Sequence, residues 1–413
     1  MLRRGTILAP KGRGDPQRMK DVIYLDHAAT TPLHPEAREA MLPYLDERFG
    51  NPSATYGLGR QAGRAIDDAR RDVARLLACR ENEVIFTSGG TESINAAIKG
   101  VAFAQQMARV GNHIVTSAIE HHAVLHACQY LEKFGFVVTY LPVDRDGLVD
   151  PDDAARAVSE RTVLVSVMTA NNEVGVIEPV AEIARAVRER ARQLHRHIPF
   201  HTDAVQAANA LTVDVEELGV DLLSLSSHKF RGPKGSGVLY LRRGTPFLPQ
   251  QSGGGQERQR RAGTENVAGI AGTQRALELA QASRESYTQA CRALRERLLA
   301  GIAERLPDAQ LNGHRERRLP NNVNVSFGGA DARIMLRLLD ESGIAASAGS
   351  ACNEETLEPS HVLLAMDVPL QRAAGTLRFT VSPETTAAEI DRVLALLPDV
   401  VERSRTPAGA AAG

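Results

Sequence analysis

Short apolar-rich stretches recur along the chain, and stretches of helical period fall between them. Residues 84–87, 113–116, 137–141, 162–168, 198–202, 221–225 and 238–241 read as strands. Stretches such as residues 56–77 and 180–195 read as helices. This alternation, running from about residue 32, predicts an α/β fold: a mostly parallel sheet with helices on both faces. A long helical region over residues 268–305 follows. Beyond it the pattern is mixed, with strands near residues 322–327 and 376–380 and helices over 332–341 and 386–402. We expect a large domain over residues 21–275 and a smaller C-terminal α+β domain over residues 276–403, with residues 21–31 packing on the smaller one.

The two ends of the chain carry no such pattern. Residues 1–20 are basic, contain Gly and Pro and lack an apolar signal core, so a secretory peptide is not expected. They read as an extension that is disordered or foreign to the native protein, with Met19 as a candidate initiator. Residues 404–413, mostly Pro, Gly and Ala toward the end, are expected to be disordered.

Composition changes this picture little. A chain of 413 residues suits two domains. A net charge of −1 implies no nucleic acid partner. No apolar run approaches the ~18 residues of a membrane span. The cysteines, Cys79, Cys128, Cys291 and Cys352, are scattered without a CxxC pair, which suits a reducing cytoplasm.

Candidate chemistry centres on residues 224–237. Lys229 stands where a strand ends and the chain turns, between Ser226, His228 and a Gly/Pro-rich stretch. Lysine is the side chain that forms a Schiff base with a carbonyl, and partial burial lowers its pKa as that requires. A hydroxyl and an imidazole beside it suit a phosphate, which points to pyridoxal 5'-phosphate (PLP). On this stretch alone, an ordinary solvated lysine in a surface turn is an equal alternative. PLP also needs a carboxylate facing its ring nitrogen. Asp203 is expected at the C-terminal end of the strand over residues 198–202, where open α/β sheets bind ligands, with Gln206 near the ring oxygen. Gly89, Gly90 and Thr91 follow a strand and open a helix, which suits a phosphate.

Two histidine groups, one of His121, His122 and His126 and one of His195, His197 and His201, lack a completing carboxylate or thiolate, so no metal is expected. Cys352 lies in the run Ser347-Ala348-Gly349-Ser350-Ala351-Cys352, whose small and polar residues suit an exposed loop.

These motifs, with Tyr24 to Thr31, Phe49 to Ser53, Ala170 to Glu173, Arg261 to Asn266 and Ser360 to Leu363, closely resemble the cysteine desulfurases of the class V aminotransferase group, fold-type-I PLP enzymes. The resemblance runs from residue 21 to about residue 400 and makes the large domain the PLP-binding one. It implies conversion of L-cysteine to L-alanine, with sulfur carried as a persulfide on Cys352 to an acceptor protein for iron–sulfur cluster, thio-cofactor or tRNA synthesis. It implies Lys229 as the Schiff-base lysine and base, His121 stacked on the cofactor and moving protons, and Asn171 near the ring oxygen and substrate. It implies Arg378 on the substrate carboxylate, and a homodimer in which Thr264 reaches the neighbouring subunit's phosphate. A class V aminotransferase without desulfurase activity, a selenocysteine lyase and a catalytically dead sulfur-pathway scaffold stand as alternatives. The residues after Cys352, Asn353 to Thr356, and the C-terminal end depart from the family's more usual pattern, which leaves the acceptor open.

Overall fold

The computed structural model describes residues 22–348 and 359–405. Its large sheet has seven strands. In chain order they are β2 (Val84–Thr87), β3 (His113–Ser117), β4 (Val137–Leu141), β5 (Thr162–Ser166), β6 (Phe200–Asp203), β7 (Leu222–Ser226) and β8 (Gly237–Leu241), following a short β1 (Ile23–Tyr24). Their spatial order is β2-β8-β7-β6-β5-β3-β4. Neighbours from β7 to β4 run parallel, and β8 runs antiparallel between β7 and β2. The expected mostly parallel α/β sheet is what forms.

Helices cover both faces, so every residue of β2, β3, β5, β6, β7 and β8 is buried, and only the edge strand β4 is partly open. That double cover explains why these strands read as apolar runs more than as clean alternation. The polar residues inside them are satisfied across strands. His201 of β6 bonds Ser166 of β5 at 2.8 Å and Ser224 of β7 at 3.0 Å. Full burial lowers its pKa to about 3, so the ring works as a neutral cross-strand tie.

A second sheet holds β9 (Gln310–Leu311), β10 (Asn322–Ser326), β12 (Ser347–Ala348) and β13 (Thr376–Thr380), in the antiparallel order β12-β13-β10-β9. Between β10 and β12 lies β11 (Ile344–Ala345), which pairs in parallel with β1. One apolar core gathers Ile23 and Leu25 with residues between Cys291 and Val401. The largest core lies in the seven-stranded sheet and its helices.

Two local differences from the pattern have physical causes. The helical stretch over residues 268–305 is two helices, Val267–Ala282 and Arg284–Arg305. Between them the Ser283 hydroxyl donates to the Leu279 carbonyl at 2.7 Å, a local bond of the kind that competes with the helix ladder. Strand β6 starts at Phe200 and ends on Asp203 itself, because the ladder with β7 runs on to the Asp203–Ser224 pair.

Candidate active site

Strand β7 ends at Ser226, and Ser227–Lys229 turns at once in a short 3-10 helix. The turn is held from below: the Ser227 carbonyl accepts the N–H of Phe230 at 3.1 Å and of Gly232 at 2.9 Å, and Phe230 is buried. Gly232 leaves this turn close-packed, since a Cβ there would stand 1.9 Å from Ser227 Oγ and 3.0 Å from the Ser227 carbonyl oxygen. Lys229 is thus fixed at a strand end, half-buried, with Nζ donating to the Ala28 carbonyl at 2.6 Å and the Ala29 carbonyl at 2.7 Å.

Asp203 ends the neighbouring strand, 4% exposed. Its Oδ1 accepts the Val205 N–H at 2.9 Å. Burial raises its pKa to about 6, against the pull of that bond and of the Lys229 charge, so it is still ionised at neutral pH. Gln206 follows and donates to the Ala28 carbonyl at 3.0 Å.

His121 precedes the helix His122–Glu132 and caps it, its Nδ1 accepting the Ala123 N–H at 3.1 Å. The neutral ring therefore carries its proton on Nε2. Burial first, then the Lys229 charge, lower its pKa to about 4, so the ring is neutral across the physiological range.

The opposite end of the site is the turn from β2 into the helix Gly90–Met107. Gly89 has φ 150°, and a Cβ on Gly90 would stand 2.9 Å from Val205 Cγ2 and 3.1 Å from Ser226 Cβ. The two glycines keep this helix start bare, and its first N–H groups have no intrahelical acceptor. Ser226 and His228 flank it, with His228 Nδ1 3.1 Å from the Thr30 hydroxyl.

All of these side chains line one cavity of about 610 Å³: Gly90, Thr91, His121, Asp203, Gln206, Ser226, His228, Lys229 and Arg378 meet there. Arg378 comes from β13 with its side chain 1% exposed, donating to Asp26 Oδ1 at 2.7 Å and to the Asn172 carbonyl at 2.8 Å. Its Nε is buried and has no partner among the described residues. Lys229 and Gln206 also border a neighbouring cavity of about 640 Å³ that contains His27, Arg231 and Glu384.

Asn171 does not belong to the cavity, and that expectation is corrected. Its Nδ2 donates to the Ile119 carbonyl at 2.8 Å, and its Oδ1 accepts the N–H groups of Glu173 and Val174. Both ends of the amide are consumed in building the turn, and the residue is fully buried. The next residue, Asn172, lines the cavity instead. Thr264 is exposed and does not line the cavity of its own chain. Cys352 lies outside the described residues. Among the described residues, no group of three or more His, Cys, Asp or Glu is placed to hold a metal ion. The His122 ring stacks on His126 and lies tilted against His361 instead.

Glu173 and Asp26 carried no assigned role in the sequence, and nothing local singles them out. Glu173 is buried and accepts the Ser360 hydroxyl, which ties the residues just after 358 to the turn bearing Asn172. Burial raises its pKa to about 7, against the Ser360 bond and the Arg378 charge. The folded chain thus keeps a proton that the unfolded chain releases near pH ~4.3. This contribution to stability is complete below that pH and is lost as pH rises through about 7. Glu173→Gln is therefore expected to gain about 2 kcal/mol on the parent between pH 5 and pH 8, read from urea unfolding at both values. A constant difference would show that Glu173 does not titrate in this window.

The donor set suits PLP: a bare helix start, an amine and a buried carboxylate share one cavity, and a Cβ on Gly90 would crowd it. The comparisons agree with that fit. The aminotransferase class-V family model matches residues 23–393. The cysteine desulfurase IscS of Dictyoglomus turgidum is 50% identical over 388 residues, covering 94% of this chain and 96% of the relative. A solved NifS-like protein superposes with a TM-score of 0.86 at 37% identity, over 92% of this chain and 100% of the other. A structure titled SspA in complex with cysteine superposes at 0.76 with 34% identity, over 88% and 100%. The chain belongs to the aminotransferase class-V family, among its cysteine desulfurases.

Proposed function

We propose that this cysteine desulfurase, PLP-dependent by family, binds the cofactor in the cavity around Lys229 and passes the sulfur of L-cysteine to Cys352, leaving L-alanine. The observation that carries the reading is the convergence of Lys229 and Asp203, from adjacent strand ends, on a cavity closed by a glycine-lined helix start. When bound, the cofactor supplies an aldehyde that condenses with an amine and a protonated ring that withdraws electrons from the substrate.

The chain's own groups do the rest. The N–H groups at Gly90 and Thr91, with Ser226 and His228, would hold the phosphate. Asp203 would keep the ring nitrogen protonated, His121 would cover the ring, and Gln206 and Asn172 would hold the ring oxygen. Lys229 Nζ would anchor the cofactor and remove the substrate α-proton. Arg378 holds the substrate carboxylate through its N–H groups. The Cys352 thiolate attacks the substrate sulfur. The carbon–sulfur bond breaks, its electron pair ends in a C–H bond of alanine, and the sulfur stays on Cys352 as a persulfide. The substrate's thiol proton is the one that completes that C–H bond, and His121 is the proposed group that moves it.

The same proposal includes a homodimer in which Thr264 reaches the neighbouring phosphate, and a sulfur-acceptor protein. It includes two domains meeting near residue 275, a reading supported by the core that gathers Ile23 and Leu25 with residues between Cys291 and Val401 apart from the core of the large sheet. No described helix is long and apolar enough to cross a membrane, and a cytoplasmic site of action fits the free thiols of Cys79, Cys128 and Cys291.

Asp203→Asn tests the centre of this reading. It keeps the shape and removes the charge facing the ring nitrogen, so alanine release is expected to fall by about a hundredfold to a thousandfold while the protein still purifies yellow. Near-normal turnover with bound cofactor would count against Asp203 as the ring partner.

A further inference from the structure

Glu92 lines the cavity at the end proposed for the phosphate, beside Ser88, Gly89, Gly90 and Thr91. A carboxylate there opposes a dianion, although it lies in the first turn of the helix whose N–H groups attract one. A counter-charge stands against it. Arg261 Nε lies 2.9 Å from Glu92 Oε1, and its Nη2 lies 3.3 Å from Oε2. Glu92 Oε2 also accepts the Ser88 N–H at 2.8 Å. The two side chains are 23% and 12% exposed, so this is no solvated surface pair. Burial opposes the Glu92 charge, yet the bonds to Arg261 and Ser88 hold its carboxyl below the usual range. Arg261 itself does not line the cavity.

The position of Arg261 is built with some strain. Glu257, Arg258 and Gln259 have φ values of 45°, 56° and 64°, three successive left-handed residues without a glycine. Such a run persists only where its surroundings over-determine it. Here the buried Glu257 carboxylate is gripped by both Arg70 nitrogens, at 2.7 and 2.8 Å, and by the Phe86 N–H at 3.0 Å. Phe86 belongs to β2, the strand that runs into the glycine turn. The segment supplying Arg261 is therefore clamped to the strand supplying the phosphate cup.

We propose that Arg261 is a positioning residue for phosphate binding: it cancels the charge of Glu92 and holds that carboxylate on the Ser88 N–H, so that the helix start accepts a dianion. The inference rests on the cofactor reading above and goes beyond it. The test titrates cofactor-stripped full-length protein with PLP and with pyridoxal, which lacks the phosphate, following visible absorbance. Arg261→Met should weaken PLP by about tenfold or more and pyridoxal by less than about twofold, because only PLP meets the uncancelled Glu92 charge. Adding Glu92→Gln should restore PLP affinity to within about threefold of the parent, an outcome that a structural lesion would not give. Arg261→Lys, which keeps the charge, should fall between. Equal losses for both ligands would overturn the inference. So would a double variant as weak as Arg261→Met, which would point to direct contact between Arg261 and a phosphate. A parent that takes up PLP no better than pyridoxal would overturn the cofactor reading, and this inference with it.

Discussion

Lys229→Ala should lower alanine formation from L-cysteine by about 10³-fold or more, since the group proposed both to anchor the cofactor and to take the α-proton is gone. Its position argues for this more than its residue type does. Lys229 is fixed at the end of β7 by the turn beneath it, and its amine reaches the loop carbonyls of Ala28 and Ala29, inside the cavity that Asp203 also enters. The competitor is Lys234, which lines the same cavity but is exposed and lies in the Gly/Pro-rich stretch between strands. The measurement is borohydride reduction of the coloured protein followed by peptide mass mapping. The cofactor mass is expected on Lys229 and should vanish from the Ala variant, which should purify colourless. A mass found on Lys234, or a yellow and active Lys229→Ala protein, would overturn the assignment.

Much of this arrangement was legible along the chain because its signals are local. A strand followed by two glycines and a threonine announces a bare helix start without tertiary information, and β2, β4 and β13 begin and end where the pattern put them. Asp203 could be found because the end of a parallel strand is a defined place in an α/β sheet. What was not legible depends on partners far apart in sequence. Arg378 meets Asp26 across 352 positions, Ser360 meets Glu173 across 187, and Arg261 meets Glu92 across 169. No periodicity encodes such pairs. The choice between Asn171 and Asn172 failed for a related reason. Two adjacent asparagines at a strand end carry the same propensity, and only the turn's hydrogen bonds decide which side chain is consumed in it.

Cys352→Ser should separate cofactor chemistry from sulfur transfer. The serine variant keeps Lys229, Asp203 and the helix start, so it should purify yellow and its cofactor spectrum should still respond to L-cysteine. Alanine and persulfide should then disappear together, falling by about a hundredfold or more, because a serine hydroxyl is neither ionised at neutral pH nor soft enough to attack sulfur. The other cysteines cannot stand in. Burial pushes the thiols of Cys79, Cys128 and Cys291 up to about 12, so none supplies thiolate at neutral pH. Cys352 is four residues beyond Ala348, whose strand β12 pairs with β13 at Arg378 and Leu377. After it the chain is tied by Ser360 to Glu173 and by His361 to the carbonyl of Glu120, next to His121. Both flanking attachments are therefore to elements that build the cavity wall. An aminotransferase acting without sulfur transfer predicts the opposite result: the variant would be indifferent to the loss of Cys352, and a keto acid would accumulate. The assay mixes each protein with L-cysteine and quantifies alanine, sulfide, keto acid and protein-bound sulfane sulfur by peptide mass. Full alanine production by Cys352→Ser, or persulfide on Cys79, Cys128 or Cys291 of the parent, would end the case for Cys352 as the sulfur carrier.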